Sequence, residues 1–76
     1  NLTRTFSREI EGKIIDFSAT YDPSTHTFKV EEQGRGSYTL IYNMNNREWT
    51  TSGDIEPSVS VNQLALWVQE SFGIFV

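Results

Sequence analysis

Before Gly53, apolar and polar side chains follow one another with a period of two. Between Lys13 and Tyr21, the apolar residues Ile15, Phe17, Ala19 and Tyr21 alternate with Asp16, Ser18 and Thr20. His26, Phe28 and Val30 alternate with Thr27, Lys29 and Glu31, and Tyr38, Leu40, Tyr42 and Met44 with Thr39, Ile41 and Asn43. Trp49 stands between Glu48 and Thr50, and residues 2–10 are Thr-rich, with Leu2, Phe6 and Ile10 on one parity. Successive residues of a strand point to opposite faces, so this pattern predicts strands with one apolar and one polar face. The spacing of four between Leu2, Phe6 and Ile10 would also suit a helix.

The connections test that pattern, because a slip of one residue would turn a whole strand over. Asp22-Pro23-Ser24-Thr25 has Asp at the start of a type I turn and Pro at the next position. It predicts pairing of Tyr21 with His26, Ala19 with Phe28 and Phe17 with Val30. Gly34-Arg35-Gly36 reads as a three-residue hairpin loop that sets Val30 against Leu40 and Phe28 against Tyr42. Asn45-Asn46 suits a two-residue type I′ turn pairing Tyr42 with Trp49, and Glu11-Gly12 a similar turn pairing Phe6 with Phe17. All four connections keep the apolar residues on one face. They predict the cross-strand row Phe6, Phe17, Val30, Leu40, Thr51.

After Gly53 and Pro57 the period changes. Val61, Leu64, Ala65, Val68 and Phe72 form one helical stripe. Ser60-Val61-Asn62-Gln63 reads as a capping box, Val59 and Leu64 occupy the staple positions, and Gly73 is a natural terminator. The expected fold is α+β: a five-stranded antiparallel meander with one C-terminal amphipathic helix on one sheet face, residues 1–76 forming a single domain. A helix of about 12 residues spans only about 18 Å. Five strands spaced at about 4.8 Å are wider, so part of the apolar sheet face is expected to stay uncovered.

Composition narrows the function classes. Ten Asp and Glu oppose six Lys and Arg, a net charge of −4. That balance disfavours a general nucleic-acid binder, whose affinity comes from cations displacing counterions, and an anionic membrane surface. No apolar run is long enough to cross a membrane, and no signal-peptide pattern is visible. The chain has no cysteine, which removes disulfides and thiolate metal sites and leaves the compartment open.

Catalytic chemistry finds no foothold. His26 is the only histidine; without a second histidine or a cysteine it builds no ordinary zinc site. Glu31 and Glu32 are adjacent and point to opposite faces, so they form no acid–base dyad. Asp16 is expected across from Glu31 on the polar face, where a solvated pair is the ordinary outcome. Gly34-Arg35-Gly36 joins two strands and has neither phosphate-loop spacing. The expectation is therefore no enzyme, no catalytic residue, no metal and no cofactor, with no small-molecule substrate identified.

Two surfaces remain. Leu66 points away from the helical stripe, Trp67 flanks it, and Ile74 and Phe75 follow Gly73 with nothing polar to solvate them. Surplus apolar clusters on a small protein mark partner contacts. The leading expectation is accordingly an interaction module that meets a protein partner, or a second copy of itself, through Leu66, Trp67, Ile74 and Phe75. The alternative is binding of a single-stranded nucleic acid or small ligand on the uncovered sheet face. Tyr42 and Trp49 would stack there beside Arg47, with Arg4 and Arg8 on the same face.

Overall fold

The computed structural model describes residues 2–76. It contains β1 (Leu2–Ile10), β2 (Lys13–Asp22), β3 (Thr27–Glu32), β4 (Gly36–Asn43), β5 (Glu48–Gly53) and α1 (Val61–Phe72). The strands form one antiparallel sheet in the order β1-β2-β3-β4-β5, and the helix follows it. This is the α+β meander expected from the alternation.

Glu11 and Gly12 both adopt left-handed backbone, at φ 52° and 81°. That is what a two-residue type I′ turn demands. The turn sets Phe6 opposite Phe17, where the rings stack at 5.0 Å.

Two other hairpins keep the expected parity but slide by two residues. At β2–β3, Tyr21 pairs with Phe28, Ala19 with Val30 and Phe17 with Glu32. His26 causes the shift: its φ of 56° takes it out of the strand and into the loop. The Asp22 carboxylate holds this turn by accepting from the Ser24 amide at 2.9 Å and the Ser24 hydroxyl at 2.7 Å. At β3–β4 the loop is Gln33–Arg35, closed by the Arg35 amide donating to the Glu32 carbonyl. Gly34 supplies the left-handed residue, at φ 83°. Val30 therefore meets Tyr38, and Phe28 meets Leu40.

The expected row from Phe6 to Thr51 is corrected by these slips. Phe6 and Phe17 continue to Glu32, while Leu2, Tyr21, Phe28, Leu40 and Thr51 form another row. The expected Asp16–Glu31 pair is not formed either. Glu31 faces Ser18, and Asp16 accepts a hydrogen bond from the Ser7 hydroxyl.

Tyr42 pairs with Trp49 as expected, but through a different turn. Asn43 and Glu48 close a loop whose left-handed residue is Arg47, at φ 58°. The asparagines act through their side chains: Asn43 Oδ1 accepts from the Asn45 amide, and Asn46 Oδ1 from the Glu48 amide.

The helix begins where the Ser60 hydroxyl accepts from the Gln63 amide at 3.2 Å. Only this half of the capping box is made. Gly73 ends the helix at φ 71°, its amide donating to Glu70 and the Ile74 amide to Gln69. The core joins Phe17, Ala19, Val30, Tyr38 and Leu40 of the sheet to Leu64, Ala65 and Val68 of the helix. The last turn of α1 reaches β1 and β3, where Arg8 pairs with Glu70 at 4.0 Å and Phe28 meets Phe72 at 5.1 Å. The sheet end carrying the β2–β3 and β4–β5 turns is left without a helix above it.

Candidate functional site

That uncovered end of the inner sheet face is an apolar groove of about 380 Å³. Its floor is aromatic: Tyr21 from β2, Phe28 from β3, Tyr42 from β4 and Trp49 from β5. The slipped β2–β3 register sets Tyr21 beside Phe28, and the expected β4–β5 register sets Tyr42 beside Trp49. Tyr21 lies 5.2 Å from Phe28, Phe28 lies 6.3 Å from Trp49, and Trp49 lies 5.0 Å from Tyr42. One wall is Gln69 and Phe72 of α1. Leu2, Met44, Ile74 and Val76 make the rim, and each is exposed.

The tail is drawn to the groove by Gln69, whose Oε1 accepts from the Val76 amide at 2.8 Å. His26 lies at the groove with its Nδ1 3.1 Å from the Tyr21 hydroxyl. The Tyr42 hydroxyl makes no hydrogen bond among the described residues.

The sequence-derived candidates separate. Tyr42, Trp49 and Ile74 line the groove. Arg4 lies beside it, with its guanidinium carbon 5.9 Å from the centroid of the Phe72 ring, and Arg47 stands in the turn between Met44 and Trp49. Arg8 lies elsewhere, over Phe6 and Trp67 at 5.3 Å from each ring. Trp67 is half-buried against Phe17 at 6.0 Å. Leu66 and Phe75 are exposed, 44% and 62% respectively, and neither lines the groove. Sequence reasoning missed Leu2, Tyr21, Met44 and Val76 as members of one site. Their shared inner-face parity was a signal for Leu2, Tyr21 and Met44, but only the register and the path of the tail bring all four to one end.

A second polar feature was also missed. Glu32 is completely buried. Its Oε2 accepts from the Tyr38 hydroxyl at 2.5 Å and the Ser58 amide at 3.0 Å. Its Oε1 accepts from Arg35 Nη1 at 2.6 Å and from the Ser58 hydroxyl. Burial pushes this carboxyl upward, but the hydrogen bonds from Ser58, Tyr38 and Arg35 outweigh it and leave the pKa lowered. Tyr38 is raised well above its ordinary value by burial and by its bond to Glu32. Every acceptor position is occupied, so Glu32 is a clasp that fastens the segment before α1 to the β3–β4 hairpin, with no free valence for chemistry.

A wider hollow of about 630 Å³ borders Thr5, Ser7, Asp16, Ser18, Glu31 and Gln33. Its Asp16 carboxylate is engaged by Ser7, and although Phe6 and Phe17 also border it, half of its lining is polar, unlike the mostly apolar groove. No group of three or more His, Cys, Asp or Glu able to hold a metal ion occurs among the described residues. No helix there is long and apolar enough to cross a membrane. No family model, curated protein or solved structure matches this chain. The site must therefore be judged on its own geometry.

Proposed function

We propose that the chain is a non-enzymatic recognition module that receives an apolar ligand in the groove over Tyr42 and Trp49. The observation that carries this reading is the convergence of five aromatic rings, four on the floor and Phe72 in the wall, and four exposed aliphatic side chains on one open groove. Concave, mostly apolar sites of roughly 300–1,000 Å³ with a few polar groups at their edges are the usual form of small-molecule sites. The polar groups here are Tyr42, His26 and Gln69. The titratable side chains lining the groove are Tyr21, His26 and Tyr42, with no carboxylate or lysine beside the Tyr21–His26 contact to complete an acid–base set, which supports binding over turnover. Stacking of a nucleic-acid strand is less well supported, because Arg8 is engaged with Glu70 away from the groove and few cations remain to follow a phosphate backbone.

A second reading is contact with a protein partner or a second copy. It is supported by Leu66 and Phe75, whose exposed side chains lie outside the groove. One experiment separates the two. The neutral dye phenylnaphthylamine fluoresces in apolar sites and should bind the intact chain with a stoichiometry near one. Trp49→Ser, with folding confirmed by circular dichroism, should abolish the signal, and Leu66→Ser should leave it unchanged. Dye binding lost in Leu66→Ser and kept in Trp49→Ser would overturn the groove reading and favour the helix surface.

A further inference from the structure

The charge around the groove departs from the charge of the molecule. The chain carries ten carboxylate side chains and a net charge of −4, yet no carboxylate side chain lines the groove. The two acidic residues nearest in sequence to its aromatic floor are turned elsewhere. Glu48 precedes Trp49 and pairs with Asn43 on the opposite face, and Asp22 follows Tyr21 and is held by Ser24 in its turn. The inner-face residue two positions from Leu2 is Arg4, whose guanidinium lies over Phe72, part of the groove wall. At the other end Arg47 occupies the turn between the rim residue Met44 and the floor residue Trp49. Along the edges, the Tyr42 hydroxyl and the His26 ring can donate hydrogen bonds. The groove thus combines an apolar floor, hydrogen-bond donors and flanking cations.

From this complementarity we infer that the groove's occupant is a small organic anion: an apolar body, flat or chain-like, carrying one acidic head group directed to Arg4 or Arg47. The inference rests on the groove reading above and narrows it to one ligand class. The apolar body is matched by the rings of Phe28, Tyr42, Trp49 and Phe72. The head group is matched by the two exposed arginines that flank the groove, Arg4 over Phe72 and Arg47 in the turn after Met44, as solvent-accessible charge contacts. A second copy of the chain fits less well, because facing grooves would bring Arg4 and Arg47 of one copy toward those of the other. A cationic or neutral amphiphile would fill the floor but gain nothing from either arginine.

Two dyes with the same aromatic body make the test: anionic anilinonaphthalene sulfonate and neutral phenylnaphthylamine, titrated into the intact chain at low ionic strength. The anion should bind about twofold to fivefold more tightly, as one solvent-exposed charge contact implies. In an Arg4→Ala, Arg47→Ala double variant that preference should vanish while the neutral dye's affinity holds. Both side chains are exposed, so the fold should tolerate the change. Lys29→Ala, on the opposite sheet face, should alter neither affinity. Raising the salt concentration should shrink the preference in the intact chain alone. Equal binding of the two dyes, or a preference indifferent to Arg4 and Arg47, would overturn the anion while leaving an apolar groove intact. Failure of both dyes to bind would overturn the groove reading itself.

Discussion

Glu32 is a residue whose burial could be costly and is not, because four donors meet its two oxygens. Removing the carboxylate leaves the Tyr38 hydroxyl and the Ser58 amide buried without partners. Glu32→Ala should therefore cost about 2–4 kcal/mol, measured by urea denaturation at neutral pH. The sign of the pH dependence follows from the lowered carboxyl pKa. The folded state binds this proton less tightly than the unfolded chain, so Glu32 stabilises the fold above its unfolded value, near 4.5. That contribution is lost as pH falls through the lower folded value. Thermal midpoints measured from pH 6 downward should drop for the intact chain, and the acid-dependent part of that drop should be smaller in Glu32→Ala. The sequence held one clue to this residue: Glu32 shares parity with Phe28 and Val30. Beside Glu31 it reads only as one of two carboxylates on opposite faces that form no dyad, and nothing local identifies Ser58, distant in sequence, as a partner.

At the scale of elements, the alternation reveals which face each strand buries, while the turns decide which residues meet. Parity survives any slide by two residues, so turn chemistry alone resolves the register. That chemistry was legible at Glu11-Gly12, where two adjacent left-handed residues leave one solution. It was not legible at Asp22–His26, since few side chains other than glycine and asparagine advertise a left-handed position, and histidine does so weakly.

Two element boundaries yield further tests. Ser60→Ala removes the acceptor of the Gln63 amide and should cost about 1 kcal/mol in chemical denaturation. Gly53 ends β5 at φ 150°, and a Cβ there would lie 2.9 Å from Tyr38 Cα. Gly53→Ala combines backbone strain with a clash against main chain, so a loss of at least about 2 kcal/mol is expected. Gly12 has open space around its missing Cβ, and Gly12→Ala should cost less than Gly53→Ala in the same assay. Equal losses would mean that the close approach of β5 to Tyr38 is wrong.

The whole molecule explains why an open groove exists at all. One helix of 12 residues crosses a five-stranded sheet, and its last turn stops over Phe28. The Glu32 clasp fixes the start of that crossing at the β3–β4 hairpin, and Gly73 fixes its end. What remains uncovered is the sheet end floored by Tyr42 and Trp49. The mismatch between helix length and sheet width was readable from the sequence, as were the Tyr42–Trp49 pair and Arg4. The contribution of Tyr21, the path of the tail and the separation of Leu66 from the groove depend on register and chain direction, which no local pattern carries.

A ligand seated in the groove meets Trp49 and not Trp67. These two tryptophans give separate indole N–H signals in a nitrogen-15 correlation spectrum, one in the groove and one half-buried against Phe17. Titration with anilinonaphthalene sulfonate should shift the Trp49 indole progressively to saturation. The backbone amides of Tyr21, Phe28 and Met44 should move with it, and the Trp67 indole should stay in place. Shifts centred on Trp67 and Leu66, with Trp49 unmoved, would contradict the groove as the binding surface.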